Sequence, residues 1–291
     1  MFAIAKRNIK LYFRDKTAVF FSMLGVIIII VLYALFLGDI LEQGITESMQ
    51  ASGMQDTDGV RYLTDSFLVA GIIAVANMTT SLGGIGVLIN DRKKAYKDFA
   101  SSPLKRLELA GGYILSTVCV GLILSLAVLL AGELYIVSFG GKLLSFTALL
   151  KVIGIIIIST LMSGSIVFFV ATFIKTNGAF VGVNALASAV LGFITGVYFP
   201  MGLMPSAIKN VANVFPLTHA ASLLRQAFMD KPFGEIFAGA PAEVLSQTKR
   251  FYDVTIAFGD TALSPVANIA VIIGTAALFF ALGLIRVYKK K

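Results

Sequence analysis

The sequence is poor in the residues that soluble enzymes commonly use for chemistry. Its 291 residues include no tryptophan, one histidine (His219) and one cysteine (Cys119), and only 14% are charged. A single cysteine excludes a disulfide framework and a cysteine-based metal site. A single histidine excludes an HExxH metal centre. We therefore interpret His219, which lies close to Pro216, as a structural or capping residue.

The sequence consists largely of long apolar runs instead of charged segments. Hydrophobic residues make up 57% of the chain, and its mean hydropathy is +0.89. A membrane-spanning helix needs about 20 mostly apolar residues. Six stretches are long enough, and they predict an all-α integral membrane protein with one permease domain over residues 1–291. The spans are expected at about 18–38, 67–89, 110–136, 147–174, 178–199 and 266–287.

A signal peptide is the alternative interpretation of the first apolar run, because five basic residues precede it. Its apolar stretch is longer than the usual 7–15 residues, however, and no small-x-small cleavage site follows cleanly. We therefore predict a retained span.

Lysine and arginine indicate the orientation of the spans. With the N-terminus in the cytoplasm, 16 of the 24 basic residues fall inside, where the net charge is +12, against −4 outside. Because basic residues concentrate in cytoplasmic loops, both termini are predicted to be cytoplasmic. We also expect the chain to lie in the plasma membrane of a bacterium. The basic excess then reports topology, and we predict no nucleic-acid partner.

Two flanking segments are too polar to span. Residues 2–16 place Phe2, Ala5, Ile9, Tyr12 and Phe13 on one helical face. This pattern favours an interfacial helix over residues 1–17; the alternative is a charged flank that only orients the first span. Residues 39–66 form an outer loop, either a short ordered element or a solvated connection.

The outer segment 200–265 contains two apolar stretches, at about 205–215 and 217–229, that are too short to cross a membrane. Pro205 and Pro216 stand where a helix can begin. Apolar runs of this length are typical of re-entrant helices. After Asp230 the sequence becomes polar and predicts turns up to the sixth span, which leads into the tail within 266–291.

The sequence holds no phosphate-binding GxxxxGK[ST] loop, so this chain does not hydrolyse ATP by that route. The "GGIG" at Gly83–Gly86 lies inside an apolar span and predicts close helix packing. Glu133 is the one carboxylate placed to lie deeper in the membrane, where an ion-coupled transporter would need it. We interpret it instead as an interfacial residue at the outer end of the third span.

Small and uncharged polar residues mark particular faces of the spans. Small residues permit close helix approach, and hydroxyls and amides turn toward other helices or a cavity. Each polar residue has two interpretations, as a contact between helices or as part of a transport path. The predicted packing seam is Gly182, Ala185, Ala189, Gly192 and Gly196, and the candidate path-lining residues are Asn77, Thr80, Ser81, Asn184, Ser188 and Thr195.

Charge is concentrated between spans 2 and 3, where residues 90–109 hold six Lys/Arg and three Asp/Glu. Asn90 or Asp91 is suited to cap a short helix, and Ser102-Pro103 to begin another. Orientation alone accounts for the charge. It does not account for the aromatic residues Tyr96 and Phe99, which together with charged neighbours suit a docking surface.

Three elements resemble the membrane subunit of a type-2 ATP-binding-cassette exporter, and together they extend over nearly the whole chain. They are "RNIKLYFRDK" before the first span, "DRKKAYKDFASSPLKRLEL" between spans 2 and 3, and "GVYFPMGLMP…FPLTHAASLLRQAF" after span 5. Each is loose alone, whereas their order and spacing make a combined signal.

The resemblance implies a half-transporter without its own catalytic site, metal or cofactor. Two copies (a homodimer is preferred), or one copy with a similar partner, would form the pathway, and each would bind a cytoplasmic ATPase that carries ATP and Mg. It also implies an outer gate near Phe199, Pro200 and Met201. The implied coupling helix, which docks on the ATPase, comprises Asp91, Arg92, Lys93, Lys94, Tyr96, Lys97, Asp98 and Phe99.

We therefore predict ATP-driven export of a hydrophobic or amphipathic substrate such as a drug, antibiotic, lipid-like toxin or peptide, because the loops are modest. Polysaccharide or lipid-linked glycan is the alternative substrate class. Two rival functions remain. An ion-coupled transporter would depend on Glu133, and a membrane enzyme would need a catalytic constellation that the sequence does not contain.

Overall fold

The computed structural model describes residues 1–51, 59–94, 106–238, 240–259 and 261–289, which are mostly helical. Helix α2 continues into α3 through a π-helical turn at Tyr33–Leu37. In chain order the helices are α1 (Phe2–Arg14), α2 (Lys16–Leu32), α3 (Gly38–Ala51), α4 (Val60–Lys94), α5 (Arg106–Ser138), α6 (Phe146–Ala171), α7 (Asn177–Ile194), α8 (Ser206–Val214), α9 (Pro216–Ile236), α10 (Ala242–Phe251) and α11 (Pro265–Lys289), and a small antiparallel hairpin, β1 (Ala257–Phe258) and β2 (Thr261–Ala262), precedes α11.

Six helical segments within the described residues are long and apolar enough to cross a membrane, which confirms the predicted all-α architecture. They begin or end beyond the predicted bounds at several places. The expected outer loop at 39–66 is largely helical where it is described, because α3 prolongs the first span and α4 already begins at Val60. The segments are Lys16–Glu47, Val60–Asp91, Leu107–Ser138, Phe146–Ala171, Asn177–Ile194 and Pro265–Lys289.

Helix α4 forms the centre of the fold and packs against α2, α5, α6, α7 and α9. Nearly every residue from 62 to 82 is buried. Glycines make this packing possible: a Cβ on Gly84 would lie 3.2 Å from the Thr117 backbone, and one on Gly132 would lie 2.4 Å from Val69. Small residues let membrane helices approach this closely, so α4 positions its neighbours.

Helix α1 lies against α5 rather than extending away from the fold. A Cβ on Gly112 would meet Ile4 at 2.7 Å. The buried face of α1 is Ile4, Ala5, Asn8 and Tyr12, so it is rotated from the predicted apolar face and leaves Phe2 exposed. Asp15 then accepts a hydrogen bond from the Ala18 backbone and caps α2.

The outer segment contains more helix than the sequence suggested. The first predicted short stretch is α8, but the second is the 21-residue α9, which continues past Asp230 through Pro232 to Ile236. Most of the first half of α9 is buried, because it packs against α4, α6 and α11. The expected turn-rich stretch after Asp230 therefore also contains α10 and the hairpin.

Candidate functional site

A large groove lies beside α2 and α7, with α4 as its floor. Its volume is about 1290 Å³. Most of the groove is aromatic and aliphatic, with a few polar groups, which is the composition expected of a ligand site. Residues that line it include Phe21, Ile28, Leu32 and Phe36 from the first span, Gly83, Gly86 and Val87 from α4, and Phe180, Val181, Asn184, Ala185, Ser188, Ala189 and Phe193 from α7.

Glycines set how closely the groove helices approach one another. A Cβ on Gly83 would lie 2.4 Å from Ser22 Cβ, and one on Gly86 would lie 3.2 Å from the Phe180 ring. The predicted close packing of "GGIG" is therefore confirmed. A Cβ on Gly25 would lie 3.5 Å from Ser188 Cβ. The first and fifth spans therefore meet at this point and diverge on either side of it, which opens the groove.

The predicted seam on α7 is divided between two environments. Gly182, Ala185 and Ala189 are exposed, and the latter two line the groove. Within one chain these three residues contact no described neighbouring helix closely, and close packing at this seam stays a prediction. A Cβ on Gly192 would overlap the Tyr198 ring at 2.2 Å, whereas Gly196 follows α7 with a positive φ of +68°.

Only two of the six candidate path-lining residues face the groove, Asn184 and Ser188. Asn77 is buried between α4 and α6, where its Nδ2 donates to Ser159 Oγ at 2.6 Å and its Oδ1 accepts from Thr160 at 3.1 Å. Thr80 and Ser81 donate to backbone carbonyls of their own helix. Asn77 therefore joins α4 to α6, which is the alternative that the sequence left open, whereas the hydroxyls of Thr80 and Ser81 are bonded within α4.

The three residues of the predicted outer gate also differ in whether they face the groove. Phe199 is 41% exposed and lines the groove. Pro200 and Met201 are buried, and the Met201 backbone N–H donates to Asp253 Oδ2 at 3.1 Å. Phe199 alone can therefore touch a molecule in the groove.

At the opposite end of the groove, Asp91 joins three helices. Arg7 of α1 donates to both carboxylate oxygens, at 2.7 and 2.9 Å, and the Tyr113 hydroxyl of α5 donates to one of them. Bidentate pairs of this kind fix geometry as well as adding energy. Nearby, Asn8 donates to Ser116. We call Arg7, Asp91 and Tyr113 the Asp91 junction.

No new helix begins at Asn90 or Asp91, which corrects the predicted cap. Helix α4 runs through both residues to Lys94, because the Asp91 carboxylate is engaged by Arg7 and Tyr113 instead of by the backbone. Arg92, Lys93 and Lys94 are the last residues of α4. Tyr96, Lys97, Asp98 and Phe99 lie outside the described residues.

The family of this chain is shown by its match to one family model. A family model described as "ABC-2 type transporter" matches residues 1–229, which is most of the chain. The chain belongs to the ABC-2 type transporter family. It is therefore a multi-pass membrane subunit of that family.

Two relatives of this ABC-2 type permease are both named Nodulation protein J. The protein from Bradyrhizobium diazoefficiens is 25% identical over 182 residues, which cover 60% of this chain and 64% of the relative. The protein from Sinorhizobium fredii is 23% identical over 179 residues, which cover 62% and 66%. The matched part thus spans just under two thirds of each relative's length.

Glu133 of the ABC-2 permease lies away from the groove. Its Oε2 accepts from the Leu144 backbone at 3.0 Å, where the connection between α5 and α6 folds back. It is 9% exposed. The contact supports the interpretation of Glu133 as a residue at the end of the third span, because its carboxylate organises a turn there.

His219 occupies a structural position, as expected. Its Nδ1 lies 2.8 Å from Asn268 Oδ1 and its Nε2 lies 3.0 Å from the Asn213 carbonyl oxygen. The ring therefore ties α9 to α11 and to the end of α8. It does not line the groove.

Sequence reasoning missed Arg225, which is completely buried in α9. It donates to the Thr195 carbonyl at 2.8 Å, lies 3.7 Å from Asp253 Oδ2 and stacks 4.4 Å from the Phe67 ring centre. Burial lowers the pKa of Arg225 to about 10 and raises that of Asp253 to about 6. A lone arginine in the apolar run "AASLLRQAF" was the available signal.

Proposed function

We propose that this chain is the membrane subunit of an ATP-driven exporter for an amphipathic substrate with a large apolar part. The observation that supports this proposal is the groove, which occurs in a chain of the ABC-2 family. Its body is apolar, Asn184 and Ser188 place an amide and a hydroxyl in its wall, and Arg7, Arg14 and Asp15 line its mouth beside α1. Such a surface accommodates an apolar body and a polar or charged group in one molecule.

The composition of the groove also favours one substrate class over another. Drugs, antibiotics, lipid-like toxins and apolar peptides match its aromatic and aliphatic walls. A lipid-linked glycan meets the same requirement through its lipid. A polysaccharide without a lipid would leave its hydroxyl groups against Ile28, Leu32 and Phe36, and burying polar groups without hydrogen-bond partners is costly. The proposal therefore excludes a free polysaccharide.

Two copies of the chain would enclose the path. The exposed small residues Gly182, Ala185 and Ala189 give α7 a face on which another helix can approach closely. A second copy packed on this face would cover the open side of both grooves. Energy would come from a cytoplasmic ATPase that binds ATP and Mg, one beside each copy.

The segment 91–99 remains our proposed docking element for the ATPase. Because Asp91 at the start of this segment belongs to the Asp91 junction, a movement of the ATPase would be transmitted both to α4 and to α1. Helix α4 in turn forms the floor of the groove. A connected, packed set of helices is the physical requirement for such coupling.

The first experiment is a pull-down of the tagged chain from its native membrane in mild detergent. The parent should recover a soluble ATP-binding-cassette subunit, and the double variant Tyr96→Asp, Phe99→Asp should lose it while keeping a normal gel-filtration profile. The matched control is Lys175→Asp, which introduces an acidic residue at an exposed position outside the 91–99 segment. Failure of a well-folded parent to recover any ATPase would remove the proposed energy source.

Transport itself is measured in inside-out vesicles that contain the chain and its ATPase. The probes are rhodamine 6G, as a hydrophobic drug, a dye-labelled acylated oligosaccharide and the same oligosaccharide without its acyl chain. We expect ATP-dependent uptake of at least one of the first two, and not of the third. Ala185→Phe, which fills the groove, should reduce uptake at least fivefold, while the outward-facing Gly274→Phe should not.

The rival ion-coupled function predicts a different pattern in the same vesicles. Uptake would then be abolished by an ionophore and by Glu133→Gln, and would continue without ATP. Uptake of the non-acylated oligosaccharide as fast as the acylated form would overturn the amphipathic substrate instead, while leaving the ATP-driven function in place.

A further inference from the structure

A second cavity lies between the ends of α6 and α11, away from the groove. Its volume is about 400 Å³. Since α11 ends on the side of the molecule where α6 ends, the cavity opens at the membrane surface on that side. Its lining combines an apolar floor with two basic residues: Phe169, Phe173, Leu282, Ile285, Arg286 and Lys289.

The floor of this cavity is built by tight packing between the two helices. A Cβ on Gly283 would lie 2.6 Å from the Phe168 ring, so α11 and α6 touch directly beside the cavity. Phe169 makes edge-to-face contacts with Phe173 and Phe279, with ring centres 5.1 and 5.4 Å apart. The apolar floor is therefore formed before any ligand binds.

Arg286 is held at the mouth of the cavity. Its guanidinium carbon lies 3.6 Å from the centre of the Phe173 ring, which is a stacking distance. A surface arginine that served only to orient the chain would extend into water. Here the planar group lies over the aromatic floor, and its N–H edge remains available for a bidentate acceptor such as phosphate.

Within the described ranges, neither cation is paired with a carboxylate. Among the residues that the structure describes, no carboxylate lies within 4.0 Å of Arg286 or Lys289. Leu282 is 37% exposed and Ile285 is 50% exposed, so the apolar floor also lacks a cover. The complementary molecule carries an anionic group directly attached to a long apolar chain.

We propose that this cavity is a binding site for an anionic phospholipid. Arg286 and Lys289 bind the phosphate of the headgroup, and an acyl chain lies along Phe169, Leu282 and Ile285. Basic pockets between membrane helices bind such headgroups in general. The occupant is a lipid rather than free phosphate because phosphate alone would leave the apolar floor in water. The site does not depend on what the groove transports.

The test uses the purified full-length chain in mild detergent, delipidated and titrated with phosphatidylglycerol, with bound lipid counted by native mass spectrometry. We expect Arg286→Gln with Lys289→Gln to raise the half-saturating lipid concentration at least fivefold. The control Lys10→Gln with Lys175→Gln removes the same charge from exposed positions at the same end. An equal loss in the control would mean diffuse attraction to basic residues and would overturn the site.

A second variant tests the apolar floor with both cations retained. Leu282→Trp fills the cavity and should also weaken phosphatidylglycerol at least fivefold; unchanged binding would overturn the proposed place of the acyl chain. Phosphatidylcholine should bind more weakly than phosphatidylglycerol. Inorganic phosphate at 10-fold excess over the lipid should not compete, and effective competition would identify a phosphate site and overturn the lipid. Gel filtration shows that each variant remains folded.

Discussion

At the residue scale, Asp91 connects three helices through one carboxylate. Arg7 from α1 and Tyr113 from α5 both donate to it, and it lies three residues before α4 ends at Lys94. Because the carboxylate is 8% exposed, its hydrogen bonds are poorly replaced by water. The charged stretch between spans 2 and 3 is thus anchored to the N-terminal helix.

We expect Asp91→Asn to lower stability by about 1–2 kcal/mol, because a hydrogen bond to a charged group is worth roughly 1.5–3 kcal/mol and the half-exposed Arg7 reduces that value. For a chain of this size the melting temperature in detergent should fall by about 3–6 °C. Differential scanning fluorimetry measures it, with the exposed Asp230→Asn as the control.

A double-mutant cycle with Arg7→Gln isolates the contact itself. The two losses should not add, since either change breaks the same bidentate pair. Fully additive losses of stability would show that Asp91 and Arg7 act independently. The Asp91 junction would then not couple α1 to α4.

At the scale of helices, a glycine on α4 lets the first span approach closely beside the groove. Gly83 meets Ser22 directly, and the same Ser22 hydroxyl is hydrogen-bonded to Tyr12 of α1. Any larger side chain at Gly83 would therefore push α2 away from α4 and break the contact with α1. The geometry of the groove mouth depends on that one close approach.

The corresponding prediction is that Gly83→Val destabilises the protein by about 1–3 kcal/mol, the usual cost of overpacking a tight contact. Gly154→Val is the matched control, because nothing lies within 4 Å of a Cβ at Gly154. Thermal unfolding in detergent measures both. Equal melting temperatures for the two variants would show that α2 does not pack on α4 at this level.

At the scale of the whole molecule, an open apolar groove on a membrane permease is incomplete by itself. The groove side of α7 carries exposed Ala185 and Ala189, whereas α11 packs mainly on α6 and α9 and has its own exposed face. Small residues at Ala185 and Ala189 stand beside the polar Asn184 and Ser188 on the groove side of α7. This side of α7 therefore suits close approach of a second helix.

We therefore expect Ala185→Cys, in a Cys119→Ser background, to cross-link two copies of the chain with a short bifunctional maleimide in native membranes. Gly274→Cys on α11 is the control at a lipid-facing position and should remain monomeric on a denaturing gel. Cross-linking at Gly274 but not at Ala185 would place the contact on α11 and remove the proposed enclosure of the groove.

The membrane architecture and the family could both be predicted from the order of residues alone. Apolar runs of about 20 residues have one common solution in lipid, a helix whose backbone groups bond internally, so the six spans followed from composition and length. The order and spacing of the three sequence elements were enough to reveal the resemblance to this family of exporters. Proline and glycine also marked the start of α9 and the close packing of "GGIG" correctly.

Which face of a helix packs and which lines the groove could be read only from the folded chain. Asn77 and Asn184 both lie in apolar stretches of the sequence. Asn77 nevertheless donates a hydrogen bond to α6, whereas Asn184 faces the groove. Likewise, the exposure of Ala185, the burial of Arg225 and the continuation of α4 through Asp91 each depend on partners far away in the chain. Such contacts leave no local pattern, because a membrane helix can satisfy its backbone alone and its neighbours are chosen by packing.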